Sequence, residues 1–279
     1  MKILVVGGNS SLARALIPLL EEFAEVTTAG RENSDVTLDL AGNIDIPFGF
    51  DAVVNTASHF GGKDAASMIQ AEQVNVLGTL KLCDACVRTG VGHLVHVSSV
   101  FAELPVTSAF FSIYALSKKQ ADEAAQLFAA NYKLRLAIVR PSQFFGVGEA
   151  YRRNQPFLYT LIDKAQAGDD IVIYGSNDAQ RNFIHVDDVA RILALVVQER
   201  LEGQFTCAYP ENVRYSQIAQ AAIDAFGSKS SIRFAPDKPD IPDNAIAADD
   251  TLYRRLGYFP RISMAAGLRM EAAHRKATQ

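Results

Sequence analysis

Apolar and polar positions follow one another along the chain in blocks whose period changes. Short β-branched runs at Ile3–Val6, Val26–Ala29, Val36–Leu38, Ala52–Asn55, His93–Ser98 and Leu134–Arg140 are separated by longer stretches with helical spacing. Those stretches run from the Gly7-Gly8 turn to Glu22, then over 67–89 and over 112–131. Wholly apolar strands alternating with helices predict a doubly wound α/β fold, a parallel sheet covered on both faces. In such sheets ligands bind outside the carboxyl ends of the strands.

The rhythm changes after Pro141. "PSQFFGVGEAYRRNQP" is a Gly/Pro/aromatic loop, and the later strands, near 171–173 and 204–207, are shorter and spaced differently. A first domain is therefore expected over 1–145 and a smaller C-terminal α/β lobe over 146–279, with 182–200 returning to the main sheet. "PDKPDIPDN" at 236–244, three prolines among aspartates, is the most loop-like stretch.

The 279 residues suffice for a large core, and the net charge of -4 weighs against nucleic acid or an anionic membrane as partner. No apolar run approaches the ~20 residues of a membrane span. The first strand begins at Lys2, so no signal peptide is expected, and three cysteines make no disulfide framework; a cytoplasmic protein fits both. Cys83 and Cys86 have CxxC spacing, but they lie within a helical pattern with no second pair and no nearby histidine pair. They are expected to be core thiols, with no metal bound.

The candidate chemistry centres on Tyr114-Ala115-Leu116-Ser117-Lys118, in a helix that follows "LVHVSSV". The i, i+4 spacing puts phenol and ammonium on one helical face. A tyrosine with a pKa of about 10 is a poor acid or base at neutral pH, and a neighbouring ammonium favours its phenolate. Ser98-Ser99, at the end of a strand, offers a hydroxyl to a substrate oxygen. The turn after the first strand, "GGNSSLA", has Ser10 and Ala13 where a Gly-x-x-Gly-x-x-Gly loop carries glycine. Ser10 places a Cβ where backbone approaches a pyrophosphate, and its hydroxyl and Ser11 offer donors in exchange.

These motifs together resemble the extended short-chain dehydrogenase/reductases, the NAD(P)-dependent nucleotide-sugar epimerase/dehydratase family with its Rossmann-type sheet. The resemblance extends through "VVNTAS" (53–58), "NVLGT" (75–79), "RPSQFFGVG" (140–148), with Gln143 where the family has Asn, and "LYRRLGYFP" (252–260). Its most specific part is "YGSNDAQRNFIHVDDVARIL" (174–193). It implies Tyr114 as acid/base, Lys118 as the group that lowers its pKa and binds the nicotinamide ribose, and Ser99 on the reacting carbonyl, with Ser98 as alternative. It implies cofactor contacts from Gly7, Asn9, Ser10, Ser11 and Leu12, from Arg31, Asp39 and Leu40, from Thr56, Ala57 and Ser58, and from Asn75, Tyr114, Lys118 and Pro141. Substrate contacts are implied for His59, Ser99, Gln143, Phe144 and Arg181, the arginine gripping a nucleotide diphosphate. His59 and Arg181 also have plain readings, as a loop histidine and a surface arginine. His185 and Asp187-Asp188 lack a metal ligand set and are expected to orient and cap the next helix.

Gly30 stands where NAD-preferring members have an acid, and Arg31 follows, which favours NADP(H); Glu32 keeps NAD(H) open. Val100-Phe101 after Ser99 replace the Asp-Glu of 4,6-dehydratases, and Phe101 replaces the cysteine of fucose-forming epimerase-reductases. A 4-ketoreductase of a nucleotide sugar is expected first and a 4-epimerase with retained NAD second. A reductase of a non-nucleotide carbonyl and a non-catalytic dinucleotide sensor are further alternatives. The resemblance also implies a homodimer through the helices near 67–89 and 112–131.

Overall fold

The computed structural model describes residues 1–278. Strands and helices follow in the order β1 (Lys2–Val6), α1 (Ser11–Glu21), β2 (Glu25–Gly30), β3 (Val36–Thr37), β4 (Ala52–Asn55), α2 (Ala65–Ala71), α3 (Gly78–Thr89), β5 (His93–Val97), α4 (Ile113–Tyr132) and β6 (Leu136–Pro141). They continue with β7 (Gln143–Phe145), α5 (Pro156–Ala167), β8 (Ile171–Tyr174), β9 (Gln180–Arg181), β10 (Phe183–His185), α6 (Val186–Gln198), β11 (Gly203–Cys207), β12 (Val213–Arg214), α7 (Tyr215–Phe226), β13 (Ile232–Ala235), α8 (Thr251–Leu256) and α9 (Met264–Ala277).

The main sheet has seven strands in the order β11-β6-β5-β4-β1-β2-β3, all parallel. Strands β4, β5 and β6 are buried at every position, as helices on both faces require. Pairing sets Val6 beside Asn55, Asn55 beside His96, and Val97 beside Val139. The residues that follow, Gly7, Thr56 and Ser98-Ser99, therefore leave the sheet along a single edge, beside Arg140 near the end of β6. The sheet order reverses between β1 and β4, the position at which open α/β sheets take their ligands.

Cys83 and Cys86 are fully buried in the core between α3 and the sheet, among Leu82, Val53 and Leu94. Burial pushes the Cys83 thiol up to about 12 and raises Cys86 as well, which leaves both inert as nucleophiles. The stretch expected as one helix over 67–89 is continuous but widens into a π-helix at Glu72–Leu77, which carries Asn75. Such widenings are common at functional sites.

The chain divides into two compact units: 1–141, 190–207 and 251–258 form the first, and 142–189, 208–250 and 259–279 the second. Residues 190–200, most of α6, belong to the first unit, although 182–200 adds no strand to the main sheet. Phe183–His185 pairs with β7 in the second unit, and Gly203–Cys207 supplies the edge strand instead. The apolar "FIHV" run has the composition of a main-sheet strand but only three paired residues. The second unit also pairs β8 with β13 and β9 with β12. Its 236–244 segment is irregular yet anchored: Asp240 accepts from the Ser176 and Asn177 amides, and Asp243 from the Gln180 amide. Among the described residues no helix is long and apolar enough to cross a membrane.

Candidate active site

The turn after β1 is built for close approach. Gly7 has φ +82°, and a Cβ there would lie 2.8 Å from the Ala57 amide nitrogen and 2.9 Å from Thr56 Oγ1. Thr56 Oγ1 donates toward the Val6 and Gly7 carbonyls, which pins the β4 turn to the β1 turn. Ser10 is the N-cap of α1: its Oγ accepts from the Ala13 amide at 3.0 Å and pairs with Thr56 Oγ1 at 2.9 Å. The serine hydroxyl therefore points into the turn and occupies the third amide of the helix. Ser11 and Leu12 begin the helix beyond it. A tight glycine turn ahead of an eleven-residue helix N-terminus fits a dinucleotide pyrophosphate.

Asn9 reaches across to the turn after β2, where its amide donates to the Glu32 and Asn33 carbonyls. Arg31, in that same turn, is exposed. Asp39 is exposed and caps the Ala41 amide at 3.0 Å, whereas Leu40 is buried against Gly78 of the "NVLGT" run.

Strand β5 delivers two serines to different surroundings. Ser98 Oγ donates to Asp122 Oδ2 at 2.8 Å, beneath the surface. Ser99 caps the short turn Val100–Glu103, accepting from the Phe101 amide, and its side chain acts on the Tyr114 phenol. The geometry thus separates Ser99 from Ser98. Burial pushes the Tyr114 phenol up to about 12, against the opposing pull of Ser99 and Ser58. Burial likewise pushes the Lys118 ammonium down to about 8, with Asp122 opposing. Lys118 Nζ donates to the Val97 carbonyl at 2.8 Å and stands 6.0 Å from the Tyr114 ring centroid. The helical spacing alone predicts a lowered tyrosine pKa; here the cost of burying the phenolate outweighs the hydrogen bonds of Ser99 and Ser58.

Asn75 does not present its amide outward. Its Oδ1 accepts from the His59 amide at 2.8 Å, and its Nδ2 donates to the His59 carbonyl and to Ser117 Oγ. It braces the loop after β4 against helix α4. The His59 ring turns back on that loop, with Nδ1 accepting from the Gly61 amide. The next residue, Phe60, stacks on Tyr114 at 4.9 Å between centroids, with 54% of its surface exposed.

Three residues outside the sequence candidates, Phe60, Asp122 and Arg140, belong to this cluster. Asp122 lies one turn after Lys118 on the same helical face, a signal visible in the sequence. Arg140 opens the "RPSQFFGVG" run, but its partners are set by strand order, and Phe60 carried no signal because its neighbour is set by a loop. Pro141 ends β6 directly after Arg140 and is buried.

In the second unit, Gln143 Nε2 donates to Gln155 Oε1 at 3.1 Å, and Phe144 pairs in register with Ile184. Arg181 is 5% exposed, not a surface arginine: its guanidinium donates to the Gln180 and Pro242 carbonyls and lies 5.0 Å over the Tyr215 ring. Tyr215 in turn meets Phe157 at 4.5 Å. His185 is buried, with Nδ1 accepting from the Asp187 amide. Asp188 accepts from the Arg261 and Ile262 amides, so it anchors the segment before α9.

Comparison with known proteins places this arrangement among relatives. The profile of the NAD dependent epimerase/dehydratase family matches residues 3–208. A dTDP-4-dehydro-6-deoxy-D-allose reductase of a Streptomyces species is 25% identical over 210 residues, covering 68% of this chain and 63% of that protein. The chain spans less than two thirds of the length of the first curated relatives it matches. Further relatives are named dTDP-glucose 4,6-dehydratase. The UDP-glucose 4-epimerase of Thermus thermophilus, solved with NAD, superposes with a TM-score of 0.77 at 21% identity over 100% of both chains. RMD from Pseudomonas aeruginosa, solved with NADPH, superposes with a TM-score of 0.79 at 17% identity, covering 100% of this chain and 99% of that one.

Proposed function

This chain belongs to the NAD dependent epimerase/dehydratase family, and from that premise we propose that it is an NADPH-dependent 4-ketoreductase acting on a nucleotide-activated sugar. The observation that carries the reading is the meeting of Ser99, Tyr114 and Lys118 at the carboxyl edge of the sheet, on the edge that also carries the Gly7 turn. The dinucleotide supplies a hydride for the carbonyl carbon. Ser99 and Tyr114 hold the carbonyl oxygen, and Tyr114 gives its phenolic proton to that oxygen as the C–H bond forms. A phenol held above its ordinary pKa is suited to donate rather than to abstract. Lys118, charged below about pH 8, stabilises the phenolate left behind and binds the nicotinamide ribose.

The Gly7 turn and the start of α1 hold the pyrophosphate, with Asn9 fixing the turn that carries Arg31. The exposed Arg31, with glycine rather than an acid before it, supports a 2′-phosphate and hence NADPH. Val100-Phe101 offer no second acid and base after Ser99, which supports simple reduction over dehydration. The first unit is assigned to the cofactor and the second to the substrate, with Arg181 for the diphosphate and Gln143 and Phe144 for the sugar. Exposed Ile69, Leu77 and Leu127 on the 65–89 and 113–132 helices support a homodimer. A 4-epimerase with retained NAD is the second reading, and Glu32, in the turn that Asn9 fixes, favours it.

The test is to titrate the purified protein with NADPH and NADH and then screen nucleotide 4-ketosugars. Tighter NADPH binding with stoichiometric NADPH oxidation supports the ketoreductase. Copurifying NAD, with interconversion of a nucleotide sugar and its 4-epimer, replaces it with the second reading.

A further inference from the structure

Beneath the tyrosine and lysine lies a group of buried charges that the proposed reaction does not itself use. Asp122 is fully buried one helical turn beyond Lys118. Its Oδ2 accepts from Ser98 Oγ and from Arg140 Nε, both at 2.8 Å. Arg140 reaches on to Glu103 Oε1 at 2.6 Å. Ser98 precedes Ser99 and Glu103 closes the turn that follows it, so the chain on either side of Ser99 is tied to one carboxylate–guanidinium pair. The second oxygen, Oδ1, faces His96 Nε2 at 3.7 Å. His96 Nδ1 lies 3.4 Å from Asn55 Nδ2, which can only donate, so the imidazole proton belongs on Nε2 and points at Asp122.

We propose that Asp122 is a positioning residue for the reaction, holding a buried negative charge between Lys118 and Arg140 that keeps Lys118 protonated and fixes the backbone on both sides of Ser99. The proposal rests on the reading of Ser99, Tyr114 and Lys118 as the reacting groups. The groups that meet or act on Lys118 are Tyr114 and Asp122 from α4 and His96 and the Val97 carbonyl from β5, with Arg140 of β6 joined through Asp122 and Glu103 through Arg140. His96 is neutral, its pKa held far below the ordinary value by burial and then by Lys118. Glu103 is more than half exposed. Asp122 is therefore the buried carboxyl of the group; burial raises its pKa, and Arg140, Ser98 and Lys118 oppose that rise and favour the carboxylate. Removing it leaves Lys118 and Arg140, both buried, without the charge that acts on each of them, the costly arrangement for charges out of water. The lysine is the one that can respond, by releasing its proton.

A carboxylate that merely ties α4 to β5 and β6 would leave the Lys118 proton indifferent to its charge, and this separates the two roles. The full chain, labelled with 15N-lysine, is titrated by NMR at Lys118 Nζ, identified by the signal lost in Lys118→Met. The Asp122→Asn variant is expected to lower the midpoint by about one unit or more, and Asp122→Glu to hold it near the native value. Arg140→Met removes the competing cation and is expected to raise it, an opposite shift that keeps the test open if Asp122→Asn does not fold. With a substrate in hand, Asp122→Asn moves the alkaline limb of turnover downward, so for a one-unit shift the loss is about fivefold greater at pH 8 than at pH 6. An unmoved midpoint in these variants, or a loss equal at every pH, overturns the proposal. Failure to turn over any nucleotide ketosugar would instead count against the proposed function and leave the NMR result standing.

Discussion

Replacing Ser10 by glycine should loosen the protein and tighten its grip on the dinucleotide at the same time. The Ser10 hydroxyl occupies the Ala13 amide at 3.0 Å and pairs with Thr56 at 2.9 Å. Loss of a serine N-cap costs about 1 kcal/mol when alanine replaces it and a few tenths when glycine does. Loss of the Thr56 contact adds up to about 1 kcal/mol, softened because Thr56 keeps the Val6 and Gly7 carbonyls. The glycine variant should therefore be about 1 kcal/mol less stable without cofactor, a Tm lower by about 2–4 °C for a chain of this size. The same change frees the Ala13 amide for a phosphate oxygen and removes the Cβ from the approach. One hydrogen bond to a charged acceptor contributes about 1.5 kcal/mol, or roughly tenfold in Kd. Ser10→Ala frees the amide but keeps the Cβ, so its affinity should fall between the two. Thermal melts without ligand and fluorescence titration with NADPH and NADH measure both halves. A Tm that falls as expected while Kd stays level or weakens would refute the argument that the cap competes with phosphate.

Tyr114→Phe keeps the ring that stacks on Phe60 and removes only the phenolic hydroxyl, so turnover should fall by about 10²–10⁴ while NADPH binding persists in titration. Gly7→Ala forces φ +82° on a residue with a Cβ 2.8 Å from backbone, and should cost about 2–4 kcal/mol in chemical denaturation and abolish cofactor binding. The folded pKa of Lys118, about 8, lies below the ordinary lysine value of 10.5, so the unfolded chain holds the extra proton between those values and stability rises with pH across that window. The rise is at most about 3 kcal/mol, and melts of Lys118→Met without cofactor should lack it. Native turnover should decline above about pH 8, as Lys118 loses its charge.

The doubly wound sheet was legible because its central strands are buried on both faces, and continuous apolar runs such as "AVV" and "HLVHV" cannot serve elsewhere. Tyr114 and Lys118 were legible as a pair because helical geometry fixes their shared face. Depth was not legible: spacing reveals the ammonium beside the phenol but not the desolvation that reverses the expected shift. Nor does spacing tell Ser98 from Ser99, since the choice depends on which one meets Asp122 across the helix. Asn75 and His59 lie sixteen residues apart, and their pairing needs the π-helical widening that no hydrophobic pattern records. Residues 182–200 divide: 190–200 join the first unit as expected, whereas Phe183–His185 pairs with β7 in the second, a partner that composition alone does not name.

The order in which the main sheet is completed has a consequence for synthesis. Strand β6 is an all-buried, apolar edge whose neighbour, β11, lies beyond the whole 142–189 segment of the second unit. At about 5–20 residues per second, the nascent chain displays that unpaired edge for several seconds before Gly203–Cys207 emerges to cover it. During that interval the exposed strand is a template for pairing with another chain, and truncation anywhere between 142 and 202 would make the exposure permanent. Fragments ending there should aggregate rather than persist as a free-standing nucleotide-binding domain.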